Sequence, residues 1–86
     1  MSNDEEMTAQ DANRETEEQE TSILEALYKK GPALPIEVAV RTYSFPEDIA
    51  TPLANLEQKG LVERQQMKTG EMLVLTKKGY KQVTGM

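Results

Sequence analysis

The chain has 86 residues with no cysteine and no histidine, and its ten Lys and Arg stand against fifteen Asp and Glu, a net charge of −5. That length allows one small domain. The missing residue types exclude disulfides and thiol zinc sites, and they remove the usual nucleophiles, bases and metal ligands. No catalytic activity, cofactor or metal is therefore expected.

No apolar run approaches the length of a membrane span. The chain also opens on acids rather than on a basic and then apolar leader. No membrane partner is expected, and a reducing, cytoplasmic location is compatible with this composition.

The net charge hides two unlike parts. Residues 1–21 hold eight acids against Arg14 alone, giving −7, whereas residues 22–86 hold nine Lys and Arg against seven Asp and Glu, giving +2. The first part has almost no large apolar side chains, so it cannot bury enough surface to offset the entropy of ordering. It is expected to be a disordered acidic tail, and residues 22–86 are expected to be the folded domain.

Ser22-Ile23-Leu24-Glu25 has the spacing of a capping box, which predicts a first helix from Ser22 to about Lys30. Fair helix propensity before it allows a backward extension of a turn or two. Ile23 with Leu27, and Leu24 with Tyr28, form a double i, i+4 seam expected to face the core. Gly31-Pro32 stops the helix. Ala33 to Pro35 is then a short crossing.

A second helix is predicted from Pro35 to Thr42. Ile36, Ala39, Val40 and Tyr43 recur at i, i+3, i+4 and i+7, which predicts that this face, Tyr43 included, is buried. A third helix is predicted from Pro46 to Lys59, with Ile49, Leu53 and Leu56 facing inward and Gly60 as its stop. Pro52 removes one helical hydrogen bond, and Thr51-Pro52 is a good N-cap and N1 pair. A bend or a restart is therefore expected there. The outward face is read as Asp48, Thr51, Pro52, Asn55, Gln58 and Lys59.

Leu61 to Met67, the turn Lys68-Thr69-Gly70 and Glu71 to Leu75 read as strand, turn, strand. Leu73 and Leu75 point to the core, while Met72 and Val74 point the other way. Thr76 to Val83 reads as a final turn or short helix. The expected class is α+β: a small winged helix of three helices, a β-hairpin wing and a short C-terminal turn or helix.

The wording sharpens this expectation. Leu56-Glu57-Gln58-Lys59-Gly60-Leu61-Val62-Glu63-Arg64 resembles the LEKxGLIxR pattern that ends the recognition helix of MarR-type regulators. Leu73-Val74-Leu75-Thr76-Lys77-Lys78-Gly79 resembles the VxLTxKG that closes their wing. Against the family's ELAxxLGLS, Glu37, Val38 and Ala39 match, but Thr42 stands where the family has Leu and Tyr43 where it has Gly. The pattern would turn Thr42 inward, and the periodicity would turn Tyr43 inward; the periodicity is preferred, because a large ring must go somewhere.

The resemblance implies a transcription-regulator-like protein that binds double-stranded DNA, with the third helix in the major groove and the wing on the flanking backbone. The residues expected to carry this are Thr51, Asn55, Gln58 and Lys59 on the helix, Arg64, Gln66, Lys68 and Thr69 on the wing, and Lys77 and Lys78 at its base. Asn and Gln can read adenine, and Thr can reach phosphate or a thymine methyl group. A polar, basic wing tip suits phosphate. Glu47 and Asp48 suit the positive end of the helix dipole but repel phosphate. They favour the alternative expectation, a winged helix that binds a protein through Met72, Val74 or the third helix.

Overall fold

The computed structural model describes residues 9–85, with side chains described from Thr16 onward. Six elements follow one another: α1 (Ala9–Lys30), α2 (Pro35–Arg41), α3 (Pro46–Gln58), β1 (Val62–Met67), β2 (Gly70–Leu75) and α4 (Lys77–Thr84). The arrangement is α+β, three helices followed by an antiparallel hairpin and a fourth short helix, as a winged helix requires.

Helix α1 begins well before the expected cap at Ser22. Thr21 Oγ1 donates to the carbonyl of Glu17 at 3.0 Å, a back-bond inside an existing helix. The Ser-x-x-Glu spacing is therefore mid-helix and caps nothing. Two causes extend the helix. Residues 9–20 are rich in Ala, Gln and Glu, which are good helix formers. Glu20, Ile23, Leu24 and Leu27 are all buried and form one continuous stripe at helical spacing, so packing reaches back beyond Ser22. Residues 9–21, expected in the acidic tail, are thus helical here, and residues 1–8 of that tail lie outside the described residues. Tyr28 is also corrected. It leaves the core seam and meets Tyr80 of α4 edge to face, with ring centroids 5.1 Å apart.

The core gathers Ile23, Leu24 and Leu27 of α1, Val38 and Ala39 of α2, Ile49, Leu53 and Leu56 of α3, and Ala33, Leu61, Val62 and Leu73 from the connections and the sheet. Leu75 and Val83 pack on its edge. A fully buried Leu in such a cluster contributes about 1.5–3 kcal/mol. The crossing at Ala33 makes a single bridge to Leu73. Ala33 N donates to Leu73 O at 3.2 Å, and Leu73 N to Ala33 O at 2.7 Å. This bridge ties the connection between α1 and α2 to the wing.

The buried face of α2 is not the predicted one. Val38 and Ala39 are buried and Thr42 is half-buried, whereas Ile36, Val40 and Tyr43 are exposed. The helix stops at Arg41, so Tyr43 never becomes the i+7 position of a helical face. It sits instead at φ +56°, in the left-handed region. Tyr43 N donates to Val40 O at 3.1 Å and Ser44 N to Ala39 O at 2.8 Å, the two bonds of a Schellman cap. The cap needs positive φ at Tyr43, and that decides the direction of its ring.

Helix α3 runs unbroken through Pro52, so no restart occurs at Thr51. The missing bond would go to Asp48 O, in the exposed first turn, where water can replace it. The Pro52 ring is fully buried, so it belongs to the inner face and not to the outward one. Gly60, at φ +76°, forms the same cap at the end of α3 that Tyr43 forms at the end of α2. Gly60 N donates to Glu57 O at 3.0 Å and Leu61 N to Leu56 O at 2.9 Å.

The hairpin pairs Val62 with Leu75 through to Met67 with Gly70, leaving the two-residue loop Lys68-Thr69. Only Val62 of β1 is buried, so the wing projects away from the core. Thr76 caps α4: its Oγ1 accepts from Gly79 N at 3.0 Å and donates to Gly60 O at 2.7 Å.

Candidate nucleic-acid interface

Helix α3 presents its inner stripe, Ile49, Pro52, Leu53 and Leu56, to the core. The opposite face then carries Glu47, Asp48, Ala50, Thr51, Ala54 and Gln58, all exposed. Thr51 and Gln58 lie where the sequence places them. Ala50 and Ala54 were not singled out, yet their short side chains leave the middle of this face low and open. The helical spacing 47, 51, 54, 58 carries the signal that finds them.

Four of the expected residues, Asn55, Lys59, Arg64 and Lys78, are engaged within the chain. Asn55 is half-buried and turned toward α1, where its Nδ2 donates to Glu20 Oε2 at 3.2 Å. Lys59 Nζ donates to the other oxygen of the same carboxylate at 2.6 Å. Glu20 is only 7% exposed, so a buried acid of α1 holds the C-terminal half of α3. Sequence reasoning missed Glu20. Its position three residues before Ile23, in register with the apolar stripe, was the available signal.

Arg64 bridges two elements. Its Nε donates to both carboxylate oxygens of Glu57 in α3, at 2.9 and 2.5 Å, and one terminal nitrogen donates to Glu71 of β2 at 3.0 Å. The hydrogen bond to Glu57, with a smaller one to Glu71, raises the guanidinium pKa above its ordinary value against the opposing effect of burial. Arg64 therefore fixes the base of the wing against α3.

Gln66, Lys68 and Thr69 are exposed at the end of the wing, and Lys77 and Lys78 are exposed in the first turn of α4. Lys78 Nζ donates to Lys59 O at 2.9 Å, which brings the start of α4 against the end of α3. Met72 and Val74 are half-buried on the far side of the hairpin. Among the described residues no group of acids could hold a metal ion, and no helix is long and apolar enough to cross a membrane.

No protein-family model matches the chain, and no curated protein matches it in sequence. Solved structures do. A transcriptional regulator from Thermotoga maritima is similar at 26% identity with a TM-score of 0.69, over 77% of this chain and 47% of its own. The YusO protein of Bacillus subtilis is similar at 26% identity with a TM-score of 0.72, over 77% of this chain and 49% of its own. A MarR-family transcriptional regulator from Silicibacter pomeroyi has a TM-score of 0.73 at 21% identity, over 78% of this chain and 46% of its own. The chain spans about half the length of the structures it matches. Its fold is the winged-helix unit found in MarR-family transcriptional regulators.

Proposed function

We propose that this domain binds double-stranded DNA as a transcription-regulator-like module, with α3 in the major groove and the wing on the flanking backbone. The observation that carries this reading is the match of fold to transcriptional regulators, at 26% identity for the Thermotoga maritima protein. The side-chain chemistry supports it. The low outward face of α3 suits a groove about 12 Å wide, which admits a helix. Thr51 and Gln58 on that face would meet phosphate or base edges. Lys68 and Thr69 at the projecting loop, with Gln66 beside them and Lys77 and Lys78 at the base, would meet the backbone.

Asn55, Lys59 and Arg64 enter this reading differently. For Lys59 or Asn55 to reach DNA, the Glu20 carboxylate must release them, and its negative charge opposes phosphate nearby. Arg64 serves the interface by holding the wing at its angle to α3. The acids that precede Ser22 lower affinity by the same repulsion, which is screened over about 8 Å at physiological salt.

Fluorescence anisotropy with a labelled duplex at several salt concentrations tests the reading. Affinity should fall steeply with salt. Lys68→Ala should weaken binding to all sequences and reduce the salt slope by about 1, whereas Gln58→Ala should alter preference at one base position by about 1–3 kcal/mol. Glu20→Gln should strengthen binding most at low salt. Absence of binding at low salt would overturn the proposal.

A further inference from the structure

Glu20 is the one buried charged residue among the described residues. Its carboxylate leaves α1 and closes on α3, with one oxygen 2.6 Å from Lys59 Nζ and the other 3.2 Å from Asn55 Nδ2. Asn55 and Lys59 stand at i, i+4, so one carboxylate clamps two successive positions on one flank of α3. A phosphate oxygen makes the same charge-assisted bonds to an ammonium and an amide. Lys59 adjoins Gln58 of the outward face, and its side chain stays 53% exposed beside a carboxylate that is 9% exposed. The ammonium thus lies at the boundary between the clamp and solvent, on a flexible stem that can turn either way.

The clamp has no second cation in reserve. Lys78 lines the same cleft, but its Nζ donates to Lys59 O at 2.9 Å. Withdrawal of Lys59 Nζ would leave the Glu20 carboxylate buried with an amide as its remaining partner. A buried charge without its counter-charge is strongly unfavourable, and Glu20 regains water only if α1 moves away from α3. Glu20 is also the first buried side chain of α1 among those described. Residues 9–19 ahead of it are too short a segment to hold a helix alone in water.

We propose that Glu20 is an internal competitor of the DNA backbone for Lys59, so that the first half of α1 and DNA engage α3 in mutual exclusion. A phosphate that takes the ammonium frees the Glu20 carboxylate to water and releases residues 9–20 from the domain. The released segment carries Asp11, Glu15, Glu17, Glu18 and Glu20 away from the phosphates, which removes their repulsion as well. By linkage, whatever steadies the first half of α1 weakens DNA binding, and DNA loosens the first half of α1 to the same degree. This competition rests on the DNA-binding reading above and adds to it a part of the domain that moves.

The test uses the full chain and its Glu20→Gln, Glu17→Gln and Lys59→Met variants, with fluorescence anisotropy on a labelled duplex and NMR hydrogen exchange. Glu17→Gln removes the same charge from an exposed side chain one turn earlier. At low salt Glu20→Gln should tighten binding about fivefold or more, and Glu17→Gln much less. In the Lys59→Met background the Glu20→Gln gain should shrink to that of Glu17→Gln, because no ammonium is left to free. Saturating duplex should speed exchange of amides 13–20 while those of Leu27 and Leu53 stay protected. Lys59→Met should speed the same amides without DNA, which reads the clamp by itself.

Equal gains from Glu17→Gln and Glu20→Gln would reduce the effect to diffuse repulsion and overturn the proposal. A Glu20→Gln gain that persists in Lys59→Met would overturn it too, as would unchanged exchange of amides 13–20 in Lys59→Met or at saturating duplex. Each of these results leaves the DNA reading standing. Absence of binding by both the full chain and Glu20→Gln at low salt would instead overturn the DNA reading and this competition with it.

Discussion

Helices α2 and α3 end in the same cap, and the two caps have opposite fates. Both use the paired bonds of a Schellman motif, closed by Tyr43 at φ +56° in one and by Gly60 at φ +76° in the other. The cap at Gly60 is covered. Leu61 behind it is buried against the core together with Leu56. Thr76 N donates to Leu61 O at 3.1 Å, Thr76 Oγ1 to Gly60 O, and Lys78 Nζ to Lys59 O. Three successive carbonyls at the end of α3 are thus satisfied by the start of α4. The cap at Tyr43 is open. Its polar contacts are local: Thr42 Oγ1 donates to Val38 O at 2.9 Å, and Ser44 Oγ to Thr42 O at 3.2 Å. One turn therefore joins α3 to the wing and α4, and the other presents side chains outward. The same backbone motif serves cohesion in one place and exposure in the other, and the side chains beside it decide which.

The largest expected effect strikes the covered cap. Leu61→Ala removes a buried side chain from the junction of α3, the wing and α4, and should cost about 2–5 kcal/mol in urea unfolding. A loss below 1 kcal/mol would mean that this cap does not anchor the core. Gly79→Ala comes next. A Cβ there would overlap the carbonyl oxygen of Leu61 and come within 2.9 Å of the Leu75 side chain. Backbone must move to admit it, at about 1–3 kcal/mol. Both changes act on one junction, so the double variant should lose less than the sum of the two. Strict additivity would separate Gly79 from the cap.

Gly60→Ala isolates the backbone contribution. A Cβ at Gly60 meets open space, so only the positive φ resists it. The expected loss is about 1 kcal/mol, read from the thermal midpoint. Tyr43→Gly is the converse and the smallest effect. Relief of the left-handed strain is partly cancelled by the freer unfolded chain, leaving a gain of up to about 1 kcal/mol. Opposite signs for these two variants would establish that the caps are alike in backbone and differ only in what surrounds them. A destabilised Tyr43→Gly would mean that the ring contributes to folding.

Much of the fold was legible because it rests on local rules. The inner stripe of α3 repeats at helical spacing, Gly60 supplies the positive φ its cap needs, and the Lys68-Thr69-Gly70 turn closes a hairpin whose apolar β2 residues Leu73 and Leu75 face the core. Each signal lies within a few residues of the feature it predicts. The reading of α2 failed because two apolar stripes compete in seven residues, Ile36 with Val40 against Val38 with Ala39. Periodicity cannot separate them over so short a span. The start of α1 was misplaced because a capping-box spacing is only a cap where the preceding backbone is not already helical.

The expected interface divides in the same way. Exposure of Thr51, Gln58, Gln66, Lys68, Thr69, Lys77 and Lys78 follows from polar residues on outward positions of α3, the wing and α4. The partners of Asn55, Lys59 and Arg64 do not follow from any local pattern, because Glu20 lies 35 residues from Asn55 in the chain and meets it only when α1 packs on α3. By itself the sequence determined the order of the elements, the ends of α3, the wing and the polar character of its tip, since hydrogen bonds and periodicities near in the chain set these. Tertiary structure alone decided which side of α2 is covered, why a proline can lie buried within α3, and which cations are held by Glu20, Glu57 and Glu71. Those outcomes depend on which distant side chains share one small core and on where its supply of apolar partners ends.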